Sequence, residues 1–90
     1  MEKIISKLFV DIGEAEKASP GWGLPFGLAV AAIRAEYGEV PLADIRAALD
    51  YLIAGDWAHY NGLEIRLTPE GRRLWDFSRR LAEEICAQVG

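Results

Sequence analysis

Between residues 55 and 68 the spacing of apolar side chains changes period, and this interruption constrains the fold more than any other feature of the chain. Upstream of Gly55 and downstream of Thr68 apolar residues recur every three or four positions, the repeat of a helix with one dry face. In between, Leu63, Ile65 and Leu67 alternate with Glu64 and Arg66, the repeat of a strand with one buried and one wet face. Asn61-Gly62 divides the stretch, and Asn-Gly is the favoured pair for a two-residue type I′ turn because both central residues need positive φ. The expectation is a β-hairpin. A lone hairpin is marginal in water, so this one must lie against the helices, which makes the chain α+β and mainly α.

Helix signals stand on both sides of the hairpin. Thr68 offers a hydroxyl to the free N–H groups of a first turn, Pro69 suits the first helical position, and Glu70 puts an acid where the helix dipole favours one. The helix expected from there covers residues 69–88, with Leu74, Phe77, Leu81, Ile85 and Val89 as its main stripe and Trp75, Ala82 and Cys86 as a second strip. Trp57 and Trp75 are expected against each other or the core, and Cys86 as a small buried residue. Arg72 with Asp76, Arg79 with Glu83 and Arg80 with Glu84 stand four apart in the weaker order for helix pairs, and should mainly solvate the face.

Ahead of the hairpin, Ile4, Ile5, Leu8, Phe9 and Ile12 mark a first helix within residues 1–17. Residues 18–25 hold Ser19, Pro20, Gly21, Gly23 and Pro25 and read as a loop, with Trp22 plugging the edge of the core. A second helix over 25–37 opens at Pro25 and closes at Gly38. Phe26, Leu28, Ala29, Val30 and Ile33 with two further alanines make it apolar nearly all round, as expected of a helix in the middle of a fold. The third enters at Pro41 and leaves at Gly55. Leu42, Ile45, Leu49 and Leu52 form its dry side, while Ala43, Asp44, Arg46, Ala47, Asp50, Tyr51 and Ala54 face outward.

Ninety residues, 51% apolar and 27% charged, suffice for a single domain over 1–90 and not for two cores. Cys86 is the one cysteine and His59 the one histidine, which excludes an intramolecular disulfide and a zinc site built from those residues. So small an inventory also points to a binding protein rather than an enzyme, with no cofactor and no metal. The longest nearly apolar run, residues 23–33, is short of the ~20 a membrane helix needs. The opening Met-Glu-Lys-Ile-Ile-Ser-Lys lacks a hydrophobic signal core, so a cytoplasmic protein without a membrane partner is expected.

The order helix, short link, helix, Gly-Asp-Trp corner and hairpin, followed by Leu67-Thr68-Pro69-Glu70-Gly71-Arg72-Arg73-Leu74, resembles the winged-helix branch of helix-turn-helix proteins, as in MarR-like and PadR-like regulators. In those families two leucines and a glycine-containing corner lead into the wing, and Leu-Thr-x-x-Gly leads out. Here Leu49, Leu52 and Asp56-Trp57 match the entry and Leu67, Thr68 and Gly71 the exit, within about residues 38–77. The resemblance implies a winged helix of three helices, a two-stranded hairpin wing and a long C-terminal helix. It also implies a DNA-binding transcriptional regulator, dimeric through its terminal helices, with the third helix in the major groove and the hairpin on the backbone or minor groove. The first two helices are either the segments at 1–17 and 25–37, or the 25–37 helix is the first and the middle one is shortened or lost.

On that footing the DNA-binding residues are Arg46 and Tyr51 on the third helix, His59, Tyr60, Asn61 and Arg66 on the wing, and Arg72 and Arg73 beyond it. Arg46 would read a base edge, and Arg66, Arg72 and Arg73 would meet phosphates. Dimerisation would fall to Leu74, Trp75, Phe77, Leu81, Ile85 and Val89, a stripe broader than the core of one small domain needs. The net charge of −4 counts against a chain whose whole surface clings to a polyanion. That surplus of acid lies early, with five basic and ten acidic residues in 1–64 against five and four in 65–90. The third helix stays poor in cations, with Arg46 between Asp44 and Asp50. The alternative is therefore a winged helix that binds a protein on its 42–54 helix, through Ala43, Ala47, Tyr51 and Ala54, with no nucleic acid involved. The small size suits a bacterial or prophage-encoded accessory protein.

Overall fold

The computed structural model describes residues 2–89, with side chains described through residue 87. The elements are α1 (Glu2–Ala18), β1 (Leu24–Pro25), α2 (Phe26–Tyr37), α3 (Leu42–Ala54), β2 (Ala58–Tyr60), β3 (Glu64–Leu67) and α4 (Pro69–Val89). The class is α+β and mainly helical, as expected. The sheet is antiparallel in the order β1-β3-β2, with Leu24 opposite Ile65 and Ala58 opposite Leu67. Three strands therefore stand where two were expected. Residues 18–25 read as a loop because of their prolines and glycines, and two paired residues are too few to show alternation. Pro25 is tolerated because β1 is an edge strand, where the missing N–H need not serve a ladder.

The centre of the molecule is α1, not α2. Leu8 and Ile12 are fully buried among Ala29 and Ile33 of α2, Ile45, Ala48, Leu49 and Leu52 of α3, and Ile65 of β3. The residues of α2 look apolar all round because so many are alanines, which remove little surface each; the helix buries Ala29 and Ile33 and leaves Leu28 exposed. Lys7 on α1 reaches both Asp11 and Glu36 at 3.2 Å and fastens α1 to the end of α2. Burial alone would lower the pKa of Lys7, but hydrogen bonds to Glu36 and Asp11 and the charges of both outweigh it, and the net direction is upward.

The hairpin forms with a different turn from the one its dipeptide suggests. Of Asn61 and Gly62 only Gly62 has positive φ, 93°, and Tyr60 lies opposite Ile65, so the tip centres on Gly62 and Leu63. Asn61 flanks the tip, and its Oδ1 accepts from the backbone N–H groups of Leu63 and Glu64, both at 2.9 Å. Leu63 is thereby carried out to 79% exposure, while Ile65 stays buried.

At its base the hairpin is locked to α4. The Thr68 hydroxyl accepts from the N–H of Gly71 at 3.0 Å and donates to the carbonyl of Asp56, while the N–H of Thr68 donates to the carbonyl of Trp57 at 3.1 Å. The left-handed residue at this corner is Asp56, with φ 61°, rather than Gly55, whose φ is −81°. Gly71 passes so close that a Cβ there would collide with the Trp57 carbonyl oxygen. The Leu-Thr-x-x-Gly signature thus has a steric cause.

One turn later Trp75 packs against α1. It is 3% exposed, its indole N–H donates to the carbonyl of Val10 at 3.2 Å, and a Cβ on Gly13 would run into the ring. Trp75 thus meets the core, as one sequence expectation has it, and is not available to a second copy of the chain, which removes it from the expected dimer stripe. Trp57 does not meet it; that ring packs on the core with its centroid 6.1 Å from Tyr51. Beyond Trp75, residues 76–87 are all exposed, Cys86 among them rather than buried, although Arg79 still reaches Glu14 of α1 at 3.5 Å.

Candidate functional site

The face of α3 is presented to solvent by the turn at residues 38–41, which Gly38 enters with φ 84° and which Arg34 braces by donating from Nε to the carbonyl of Val40 at 3.2 Å. The helix buries Ile45, Ala48, Leu49 and Leu52. Ala43, Asp44, Arg46, Ala47, Asp50, Tyr51 and Ala54 are exposed, as their spacing requires; Leu42, expected on the dry side, is exposed as well, because it stands at the first residue of the helix, ahead of the buried stripe that begins at Ile45. The hairpin stands beside this face. The guanidinium of Arg46 lies 5.3 Å from the centroid of the Tyr60 ring, which links helix to strand. Phe26 also packs on Tyr60, centroid to centroid 5.8 Å, and the Tyr60 hydroxyl donates to the carbonyl of Gly62 at 3.2 Å.

The other expected contact residues are dispersed. His59 is exposed and stands opposite Arg66 across the strands. Asn61 is exposed at the tip, but its amide oxygen is consumed by the turn. Strand alternation puts His59 and Arg66 on one face of the sheet and Tyr60, Ala58 and Ile65 on the other, so Arg46 and Arg66 project on opposite faces. Arg46 and Arg66 therefore do not share one basic face.

Each of these arginines has a carboxylate partner, and the exposure of the pair decides what that means. Arg46 with Asp50 at 3.2 Å and Arg73 with Glu70 at 3.0 Å are pairs more than half exposed on both sides. Such pairs contribute about 0–1 kcal/mol and are easily exchanged for another anion. Arg66 and Arg72 differ. Arg66 holds Glu64 and also donates to the carbonyl of Gly21 at 2.7 Å, and the same Glu64 accepts from the N–H of Gly23 at 3.0 Å. The bond from Arg66, and after it that from Gly23, hold the Glu64 carboxyl below its usual range. Arg72 reaches Glu16 of α1 at 3.3 Å while its guanidinium lies 5.5 Å from the Trp75 ring, and Glu16 accepts in addition from the N–H of Leu67. Both arginines tie together segments 45 or more residues apart, a role with no local signal in the sequence.

Apolar surface is also exposed outside α3. Trp22, expected to plug the core, is 69% exposed, because the glycines beside it offer no side chain to pack on; it lines a groove of about 450 Å³ with Leu24, Pro25 and Leu28. On α4, Leu74, Phe77, Leu81 and Ile85 form an exposed stripe, and Phe77, Arg80, Leu81 and Glu84 surround a hollow of about 130 Å³. The side chain of Val89, assigned to the same stripe, lies outside the described residues. Arg72 meets Asp76 at 3.9 Å as its spacing suggests, but Arg79 reaches Glu14 of α1 rather than Glu83.

Among the described residues no group of three or more His, Cys, Asp or Glu is placed to hold a metal ion, and no helix is long and apolar enough to cross a membrane. Comparison with family models, with curated proteins and with solved structures gives no match to this chain.

Proposed function

We propose that the chain is a winged-helix protein that binds duplex DNA as a dimer, with α3 in the major groove and the β2–β3 hairpin as the wing. The supporting observation is the display of α3: one whole side is uncovered, it follows α2 after a short turn, and Arg46 joins it to the wing through Tyr60. The order α1-β1-α2-α3-β2-β3, with both helices present ahead of α3, suits this architecture. In this reading Arg46 addresses a base edge with Tyr51 beside it on α3, His59 and Asn61 act from the wing, and Arg73 meets a phosphate. Arg66 and Arg72 act from behind, by holding the 19–23 loop and α4 in place. The exposed stripe of α4 joins two copies. The protein works in the cytoplasm as a regulator, takes no cofactor, and carries out no catalytic step.

The charge arithmetic makes the expected binding weak and salt-limited. Two exchangeable arginines per protomer release few counterions, so the logarithm of the affinity should fall with the logarithm of salt concentration with a slope of about −4 for a dimer. Fluorescence anisotropy on a labelled duplex at about 50 mM salt measures this. Arg46→Ala with Arg73→Ala should abolish the signal. Absence of any duplex binding by the wild-type chain at that salt rules the reading out.

A second reading, a protein partner docked on α3, is favoured by the exposure of Leu42, Tyr51 and Ile53 on that helix and by the Arg46–Asp50 pair. A specific complex that Tyr51→Glu dissolves, in a chain that binds no duplex, is its signature.

A further inference from the structure

The self-association just proposed leaves open how two α4 helices meet, and the residues around the stripe decide it. Phe77, Arg80, Leu81 and Glu84 stand at i, i+3, i+4 and i+7 and enclose the open hollow on the helix surface. Four residues in this spacing form the hole that receives a side chain from a facing helix in knobs-into-holes packing. No residue of the same chain fills it, since residues 76–87 are exposed throughout. The hollow is bounded on one flank by Arg80 and Glu84. Among the described residues neither makes an ion pair, whereas Arg46, Arg66, Arg72, Arg73 and Arg79 each do. The other flank of the stripe carries Ser78, Ala82 and Cys86 and no charge.

In an antiparallel helix pair each flank meets the same flank of its partner, whereas in a parallel pair it meets the opposite one. A flank with a cation four residues ahead of an anion complements itself only in the antiparallel case. In the parallel case Arg80 and Glu84 would face serine, alanine and cysteine.

We infer that two copies of this chain pair antiparallel through the exposed part of α4, with the two-fold axis at Leu81, Phe77 against Ile85 of the second copy, and Arg80 paired with Glu84 of the second copy. Leu81 of each chain enters the hollow of the other. This arrangement rests on the dimeric part of the proposed function and narrows it to one register and one direction.

The test uses the full chain and two charge reversals at exposed positions, Arg80→Glu and Glu84→Arg, neither of which touches the core. Circular dichroism first checks that each variant keeps its fold. Sedimentation equilibrium then reads the dissociation constant. Each reversal turns both symmetry-related pairs from attractive to repulsive and should weaken self-association about tenfold. Mixed in equal amounts, the two variants should form a heterodimer with the wild-type affinity, because position 80 of either chain again faces an opposite charge at position 84 of the other. The doubly reversed chain should dimerise like the wild type. A wild-type dimer that neither reversal weakens, with no gain on mixing, overturns the antiparallel arrangement and leaves dimerisation standing. A wild-type chain that stays monomeric throughout the accessible concentration range overturns both.

Discussion

The two parts of α4 differ in what holds them. Residues 69–75 are fixed by Gly71 beneath the Trp57 carbonyl, by Arg72 on Glu16 and by Trp75 on Gly13, whereas Phe77, Leu81 and Ile85 in the second part stay about half exposed. The buried side of the first part is Gly71 and Trp75, four residues apart; the exposed apolar side of the second is Phe77, Leu81 and Ile85. One helix thus carries two stripes on different sides, one serving the monomer and one open to something else. An amphipathic pattern records that a face wants to be dry, not which molecule dries it.

That contrast can be attacked from either end. The largest effect should come from Trp75→Ala, which deletes an aromatic ring from a closed contact and should cost about 3–5 kcal/mol in chemical denaturation. A cost below about 1 kcal/mol would mean that the first part of α4 is no more anchored than the second. Gly71→Ala should follow at about 1–3 kcal/mol, since the new methyl meets a backbone carbonyl that has no rotamer to escape into. Removing the cap with Thr68→Ala should cost about 1 kcal/mol.

In the second part of the helix, Phe77→Ser or Leu81→Ser should change the unfolding free energy measured at low protein concentration by no more than about 0.5 kcal/mol, while it removes association. A large loss of stability there would show that the stripe belongs to the monomer after all. The smallest effect belongs to Glu64, far from the exposed part of α4. Its folded pKa lies below the ordinary 4.5, so its stabilisation is complete above that pH and fades as the pH falls through the folded value. A thermal melting point that declines on acidification in the wild type, and declines less in Glu64→Gln, is the expected result.

Much of the fold was legible in the sequence because its signals are local. Thr68-Pro69-Glu70 starts α4 where the cap and proline require, and the spacing of Ile45, Leu49 and Leu52 gives the dry side of α3. The misses come from contacts between distant segments. Nothing near Leu24 announces that it will lie opposite Ile65, and Trp75 is expected from the sequence both against the core and on the dimer stripe, a choice made only by Gly13 on another helix. The candidate site shows the same division. The outward face of α3 followed from periodicity, but the difference between the exchangeable Arg46 and the anchored Arg66 depends on a carbonyl at Gly21 that no local pattern marks. The turn failed for a finer reason: the dipeptide Asn-Gly marks where a chain reverses, while the register of the ladder decides which residues stand at the apex.

The bond from the Trp75 indole to the carbonyl of Val10 spans 65 residues of a chain of ninety. The first helix therefore emerges during synthesis long before the side chain that covers it. Until α4 arrives, the surface around Gly13 must remain open, and the closing step joins α1 to α4 across all the elements between them. Such sequence-distant closure is slow compared with helix formation, so folding should finish at this seam.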